Sequence, residues 1–533
     1  MKKILFFAAA AVAMLTGCSQ NDDLTAPTIA QNAQQTPVEF GTYMGNTAQT
    51  RVTGGANGPI TSATVLAQKN GFGVFGYYTV DKDYLGTVKE AKDPASDVLV
   101  AADLTDNQAT AMAPNFMYNQ HVTSADPYTT WTYSPIKYWP NGNTTADDQD
   151  TNAGTDPAKG TDGGKVSFFA YAPYWDKSAA TDGIIDMSTN SATGNPTVTY
   201  KLATNGTAVD LLWGTAGTNG VKAQDGTVAN KSWYIAKTPA TPAWSSNPYK
   251  VNANLTKMKT DGKIQFNFKH ALAKVGGSQQ GSGNVNGLMI VADLDKDGAE
   301  SGDEFETGTV DGAAGTKLTK ITVSSIVISN DIDDDGDFDD TDKAVATANK
   351  GTLDLATGQW TLSDNADDKT AINHVIDATG TAPNAKLAKA IAETTAPALA
   401  TKDDFFKCTG TWNEQSGVPA KTPINVYGTE TNPFVFIPGT TPVLRFKITY
   451  IVRTYDANLA NGFSEVTQTV SKKVTFSEAI KLNKMYNILI HLGMTSVKFD
   501  AIVSNWDVTD TDADSDGVAD ADQNVYLPIN VSD

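Results

Sequence analysis

An all-β chain, folded as two tandem antiparallel β-sandwiches with long polar loops, is the architecture these 533 residues predict. Three observations carry that expectation. Short runs rich in β-branched and aromatic residues alternate apolar with polar at period two, the signature of half-buried strands. Helix-like stretches are few, only His270–Val275, Lys386–Glu393 and Ser477–Leu482, and no strand–helix–strand rhythm organises the runs into a parallel sheet. Polar segments rich in Gly, Asn, Asp and Thr, such as Asn141–Gly164, Gly214–Asn230 and Gly276–Asn286, separate the strands as surface loops.

The N-terminus reads as an export signal. Lys2 and Lys3 precede an apolar run, Ile4–Met14, that is too short to span a bilayer. The run ends Leu15-Thr16-Gly17-Cys18, which resembles a bacterial lipobox in which Cys18 is acylated and becomes the first mature residue. Residues 1–17 are therefore expected to be a lipoprotein signal peptide and 18–35 a polar tether. No later apolar segment is long enough to cross a membrane, so lipid on Cys18 is the expected attachment to the outer membrane. Processing leaves Cys408 as the sole remaining cysteine, which excludes an intramolecular disulfide.

The strand series starts at 38–44, where Val38, Phe40, Thr42 and Met44 alternate with polar or small residues. Gly71–Tyr78 and Lys165–Tyr174 continue it, and Leu211-Leu212-Trp213-Gly214 closes the first apolar region. This gives an N-terminal sandwich over 36–215, followed by a polar, Pro-bearing linker or insert over 216–261. Ile264–Phe268, Ile321–Ser329, Val443–Val452, Val474–Phe476, Tyr486–Leu492 and Val497–Val503 form a C-terminal sandwich over 262–507. An acidic loop and a last alternating strand occupy 508–533.

Asp and Glu total 60 against 40 Lys and Arg, a formal charge of −20 that disfavours nucleic acid as a partner. The excess is localised. Asp293–Glu304, Asp331–Asp342 and Asp510–Asp522 hold 6, 8 and 6 acidic residues and one Lys, which leaves 40 acidic and 39 basic residues elsewhere. Asp293, Asp295, Asp297, Gly298 and Glu304 match the D-x-D-x-D-G-x5-E calcium loop. Asp331, Asp333, Asp335, Gly336 and Asp342 repeat the spacing with Asp at the end, and Asp512, Asp514, Asp516, Gly517 and Asp520 resemble a thrombospondin type 3 repeat. Alternating carboxylates around a tight Gly turn point several hard oxygens at one Ca²⁺, the expected cofactor. Against this, neither flank of the first loop reads as helical, and Asp-Gly is also hairpin-turn chemistry.

Catalytic patterns are poor. The four His, at 121, 270, 374 and 491, have no metal-ligand spacing, and no G-x-S-x-G or phosphate-binding Gly loop is present. The chain is expected not to be an enzyme.

Several segments taken in order resemble a known family. They are Thr50-Arg51-Val52-Thr53, Gly73-Val74-Phe75-Gly76-Tyr77, Phe116–Gln120 with Trp131–Pro140, Val166–Tyr174, Asp210-Leu211-Leu212, Phe266–Val275 and Phe499–Trp506. Together with the lipobox Cys, this series resembles the fimbrillins, pilins of the type V pili of Gram-negative anaerobes. The resemblance implies two transthyretin-like sandwiches and export as a lipoprotein. It also implies cleavage after an Arg that removes the lipid and the first strand, then insertion of a strand from another subunit into the opened groove. Arg is scarce here: Arg51, Arg445 and Arg453 are the three in the chain, and the last two fall in or just after a predicted strand. Arg51 is therefore the expected processing site, and the strand bearing Val38, Phe40 and Met44 the removable one. The alternating tail Val525, Leu527, Ile529 and Val531 has the pattern of a donor strand, although it could equally close its own sheet.

The expected function is a structural subunit of surface fimbriae, shaft or tip. It would polymerise with like or unlike subunits and support adhesion to a host or bacterial surface receptor. The alternative is a permanently lipidated surface lipoprotein that binds glycan or protein, for example through Trp131–Trp139, a cluster that also suits the fold core.

Overall fold

The computed structural model describes residues 37–43, 63–80, 84–85, 87–88, 104–105, 111–125, 128, 130–140, 164–203, 209–216, 220–222, 228–230, 235–236, 244–245, 251–255, 263–275, 288–292, 319–377, 385–387, 424–425, 427–429, 434–439, 441–455, 458–460, 463–492, 497–505, 524–526 and 529–532. The protein is all-β, with two helices of six residues each, α1 (Ala63–Gln68) and α2 (Asp340–Val345), among the described residues.

A seven-stranded sheet forms the N-terminal layer. Its strands are β1 (Glu39–Tyr43), β2 (Phe72–Val80), β3 (Met117–Val122), β4 (Lys165–Ala172), β5 (Leu212–Ala216), β6 (Asn252–Leu255) and β7 (Lys263–His270). The order is β1-β7-β5-β4-β2-β3, with β6 pairing β4. One face carries Phe72, Val74, Phe168, Ala170 and Phe266 and the other Tyr171 and Trp213, all buried. A second, four-stranded sheet joins Gly183–Met187 and Thr197–Lys201 to Lys350–Asp354 and Trp360–Leu362. The sheets meet where Trp213 Nε1 donates to the Leu355 carbonyl at 2.9 Å. Gly358, at φ +75°, lies under the Trp213 ring, 2.5 Å from where a Cβ would stand, so both its conformation and its contact require glycine.

The domain division read from the sequence follows the chain rather than the sheets. β7 opens the segment assigned to the second sandwich, yet it completes the first sheet between β1 and β5. The 350–362 hairpin likewise lies in the second region of the chain and pairs with Thr197–Lys201.

Two further seven-stranded sheets form the C-terminal sandwich. One contains β8 (Thr319–Ser329), β9 (Val443–Tyr455), β10 (Phe463–Phe476) and, as its last strand, Ile529–Ser532. The other is built around β11 (Lys484–Leu492) and β12 (Val497–Asn505). The layers meet through Phe446–Phe499 and Phe476–Tyr486, with ring centroids 5.4 and 5.8 Å apart.

Antiparallel pairing dominates, but β1 lies parallel to β7, and β11 lies parallel to both Ala273–Val275 and Leu288–Ala292. Of the helix-like stretches, His270–Val275 is the end of β7 and a buried strand, because pairing with Phe434–Phe436 overrides local propensity. Ser477–Leu482 contains no helix. Among the described residues no helix is long and apolar enough to cross a membrane.

Candidate functional site

β1 is the outermost strand of the N-terminal sheet and sits in a built seat. On one side its main chain pairs with β7, Glu39 opposite Lys263 through Tyr43 opposite Asn267. Val38 and Phe40 are buried. The Phe40 ring lies 5.3 Å from Tyr133, 5.9 Å from Phe168, 6.0 Å from Phe266 and 6.3 Å from Phe72, an aromatic pocket in edge, tilted and stacked geometries.

The other side is closed by the segment 131–139. The Val38 N–H donates to the Lys137 carbonyl at 2.9 Å, the Tyr133 hydroxyl donates to the Val38 carbonyl at 2.8 Å, and Trp131 Nε1 donates to Thr42 Oγ1 at 3.0 Å. Pro37 and Tyr138 form an antiparallel bridge. Burial holds the Tyr133 hydroxyl above its ordinary pKa, so it remains a neutral donor. Sequence reasoning read this cluster as core, which holds for the buried Tyr133 and Trp139. It missed the second role of the cluster as a cover for β1; the signal available was the Trp-x-Tyr alternation in the same region.

Of the residues assigned to strand exchange, Met44, Leu527 and the processing residue Arg51 lie outside the described residues, as does the lipidation residue Cys18. The tail is split into two short strands. Val525, within Asn524–Tyr526, pairs with β12, whereas Ile529 and Val531, within Ile529–Ser532, pair with β10. Val531 is exposed. In the isolated chain the tail therefore closes the edges of its own sheets.

The acidic segment 331–342 is the second constellation. Carboxylate oxygens of Asp331, Asp333 and Asp335 lie within 4.8 Å of one another. Asp331 also accepts the N–H groups of Asp334 and Gly336, at 2.8 and 3.1 Å, which closes the loop; Gly336 there adopts φ +93°. Partial desolvation in the loop, then the charges of Asp335 and Asp342, raise the Asp333 pKa. Three hard oxygen donors converging in this way have the chemistry to hold a divalent cation such as Ca²⁺.

Asp342 is not one of that group. It is fully buried and accepts the N–H of Ile332 at 2.5 Å and of Asp339 at 3.2 Å, forming a capping box with Asp339 at the start of α2. The loop leans on β9: the buried Arg445 guanidinium donates to the Ile332 carbonyl, and Lys447 Nζ reaches Asp334 at 3.2 Å. The loops at 293–304 and 510–522, with Asp293, Asp295, Asp297, Glu304, Asp512, Asp514, Asp516 and Asp520, lie outside the described residues.

His270 and Asp210 form a buried pair, Nδ1 to Oδ1 at 2.9 Å, that ties β7 to the segment leading into β5.

This fold and this seat define an all-β protein of stacked sheets whose first strand is clasped between a sheet edge and a covering segment. No protein-family model matches the chain. Over 199 residues, 37% of this chain, it is 27% identical to the fimbrium subunit Fim1C of Phocaeicola vulgatus, and it spans 38% of that relative's length. The chain therefore resembles a fimbrial subunit, in agreement with the resemblance read from its motifs. Among solved structures, a fimbrial protein from Bacteroides vulgatus aligns with 88% of this chain and 99% of its own, at 18% identity and a TM-score of 0.46.

Proposed function

We propose that the chain is a structural subunit of surface fimbriae, assembled by proteolysis-dependent β-strand exchange and supporting cell adhesion. The observation that carries this reading is the β1 seat. A terminal strand with two buried apolar side chains lies at a sheet edge, so its removal uncovers an apolar groove and unpaired main-chain groups, both costly in water. Cleavage after Arg51 releases the lipid on Cys18 together with the strand carrying Val38, Phe40 and Met44. A strand from another subunit then fills the groove. This chain's tail, with Val525, Leu527, Ile529 and Val531, leaves its own sheet edges and serves the next subunit along. Before processing the chain is an outer-membrane lipoprotein; afterwards it belongs to the fimbrium.

Ca²⁺ is proposed as a structural ion at Asp331, Asp333 and Asp335, and at the 293–304 and 510–522 loops. The three facing carboxylates support the first of these sites. Extracellular sites fill at millimolar ion concentrations, so weak affinity suffices.

The test is N-terminal sequencing of the subunit recovered in SDS-resistant ladders from the cell surface, for the parent and for Arg51→Ala. A sequence beginning at Val52, and loss of ladders in the variant, are expected. A chain that still begins at an acylated Cys18 in both would overturn strand exchange and favour the permanently lipidated binding protein.

A further inference from the structure

We infer that the segment 131–139 is a second wall of the β1 seat and that it selects the occupant: a strand from a subunit of different sequence, with an aliphatic, an aromatic and a hydroxyl side chain at alternate positions. This rests on the strand-exchange reading and names the partner of that same seat.

The wall is anchored independently of β1. Thr123 and Thr132 exchange both main-chain hydrogen bonds, at 2.9 and 2.8 Å, and Gln120 Nε2 donates to the Ser134 carbonyl at 3.0 Å. At the far end Trp139 is buried, its ring 5.8 Å from Phe168. These contacts persist when β1 leaves, so the wall stays in place to meet the next strand.

Its contacts add to those of β7, whose Phe266 also stacks on the Phe40 ring. Through its ladder β7 reads main chain, which any extended strand supplies. Side-chain readout is shared: Tyr133 of the wall and Phe72, Phe168 and Phe266 of the sheet surround Phe40, while the wall alone reads the Thr42 hydroxyl through Trp131. Phe40 fills a pocket of four rings, and a shorter aliphatic chain there leaves space that close-packed neighbours do not collapse to fill. The Tyr133 hydroxyl has a fallback acceptor within the wall, the Lys137 carbonyl at 3.3 Å. Trp131 Nε1 has no second acceptor among the described residues and relies on the hydroxyl at position 42. Lys137 supplies a carbonyl that needs an N–H from the strand, so proline at the position of Val38 is excluded.

This chain's own tail does not meet those demands. Its alternate positions read Val525, Leu527, Ile529 and Val531 on one face, and Asn524, Tyr526, Pro528, Asn530 and Ser532 on the other. The first series lacks both aromatic and hydroxyl. The second flanks its one aromatic with Asn and Pro. In neither direction does any register give aliphatic, aromatic and hydroxyl in succession. The groove therefore fits a strand of another subunit better than a second copy of this chain.

The experiment uses the full chain cut after Arg51 by an Arg-specific protease, with fluorescent peptides exchanged into the seat. The peptides are residues 36–44, the same peptide with Thr42→Val or Phe40→Leu, and residues 523–533. The 36–44 peptide is expected to bind at least about tenfold tighter than the tail peptide, and Thr42→Val to weaken it about fivefold. In a Trp131→Phe protein the Thr42→Val penalty should vanish while Phe40→Leu keeps its cost, a pattern that a merely structural Trp131 would not produce. A tail peptide that binds as tightly as 36–44 overturns the selection while leaving strand exchange intact. Failure of every peptide to enter the cut protein removes the strand-exchange reading itself, and this inference with it.

Discussion

Phe40→Ala is the sharpest probe of the β1 seat. The side chain is 4% exposed and lies against four rings at 5.3–6.3 Å, so truncation removes a full aromatic from a packed pocket. Phe-to-Ala changes at such sites cost about 3–5 kcal/mol. Because β1 is a terminal edge strand held by few elements, that cost falls on its docking rather than on the whole sandwich. At ~1.4 kcal/mol per tenfold, the undocked population rises roughly two to three and a half orders of magnitude. Hydrogen exchange read by mass spectrometry should then show lost protection over residues 38–43 and over their partners 263–267, with β4 and β5 unchanged. Glu39→Ala, at an exposed position of the same strand, is the control and should leave protection unchanged. Equal protection in Phe40→Ala and the parent would refute the reasoning, since the ring would then not hold the strand.

Three other outcomes follow from the structure. Burial lowers the His374 pKa from 6.5 to about 4, so its folded form favours the neutral ring; the stability this confers is present above pH 6.5 and is lost as pH falls toward 4. The full effect is roughly 3 kcal/mol, and His374→Gln should flatten that limb of a pH–denaturation profile. Arg445 is 7% exposed within β9 and donates to the Ile332 carbonyl and Ser471 Oγ, so peptide mapping of a native Arg-specific digest should find no cut there, and Arg445→Ala should cost about 2–3 kcal/mol in urea melts. Millimolar Ca²⁺ should raise the melting temperature of the full chain, with EDTA reversing it, and Asp333→Asn with Asp335→Asn should reduce the shift; no shift in the parent would remove the ion.

Several strands that pack on a core were legible, though the alternating Thr197–Lys201 and Lys350–Asp354 were not read. The runs 71–78, 165–174, 321–329 and 443–452 fall within a few residues of β2, β4, β8 and β9. β8 and β9 alternate with their burial, whereas β2 and β4 are buried on both faces and are marked by their aromatic and β-branched content instead. Pairings between distant segments leave no such mark. Nothing local in Lys350–Leu362 says that it completes a sheet with Thr197–Lys201, and nothing local in Lys263–His270 says that it takes β1 in parallel. Ala271-Leu272-Ala273 has helix-forming composition, yet it leads into a strand paired on both sides, where tertiary pairing outweighs a few tenths of a kcal/mol of propensity.

The acidic loop shows why residue spacing alone under-determines a site. Asp342 stands twelfth from Asp331, where a ligand is expected, but it also stands three residues after Asp339, where a capping box forms. The second chemistry is local and serves the loop's own N–H groups: Asp342 binds Ile332 and Asp339 and is fully buried, while Asp331, Asp333 and Asp335 face one another. Buried N–H groups need acceptors whether or not an ion is bound, so the carboxylate that closes the loop is committed first. What remains is three like charges held close by backbone that Asp342 and Arg445 fix in place. Desolvation first, then the neighbouring Asp335 and Asp342 charges, raise the Asp333 pKa, and a cation bound there would offset that charge. Asp331 both closes the loop and faces the cluster, whereas Asp342 closes the loop without facing it. Single substitutions tell the two roles apart, because Asp342→Ala should destabilise the loop with or without Ca²⁺, whereas Asp333→Asn should remove the Ca²⁺-dependent rise in melting temperature.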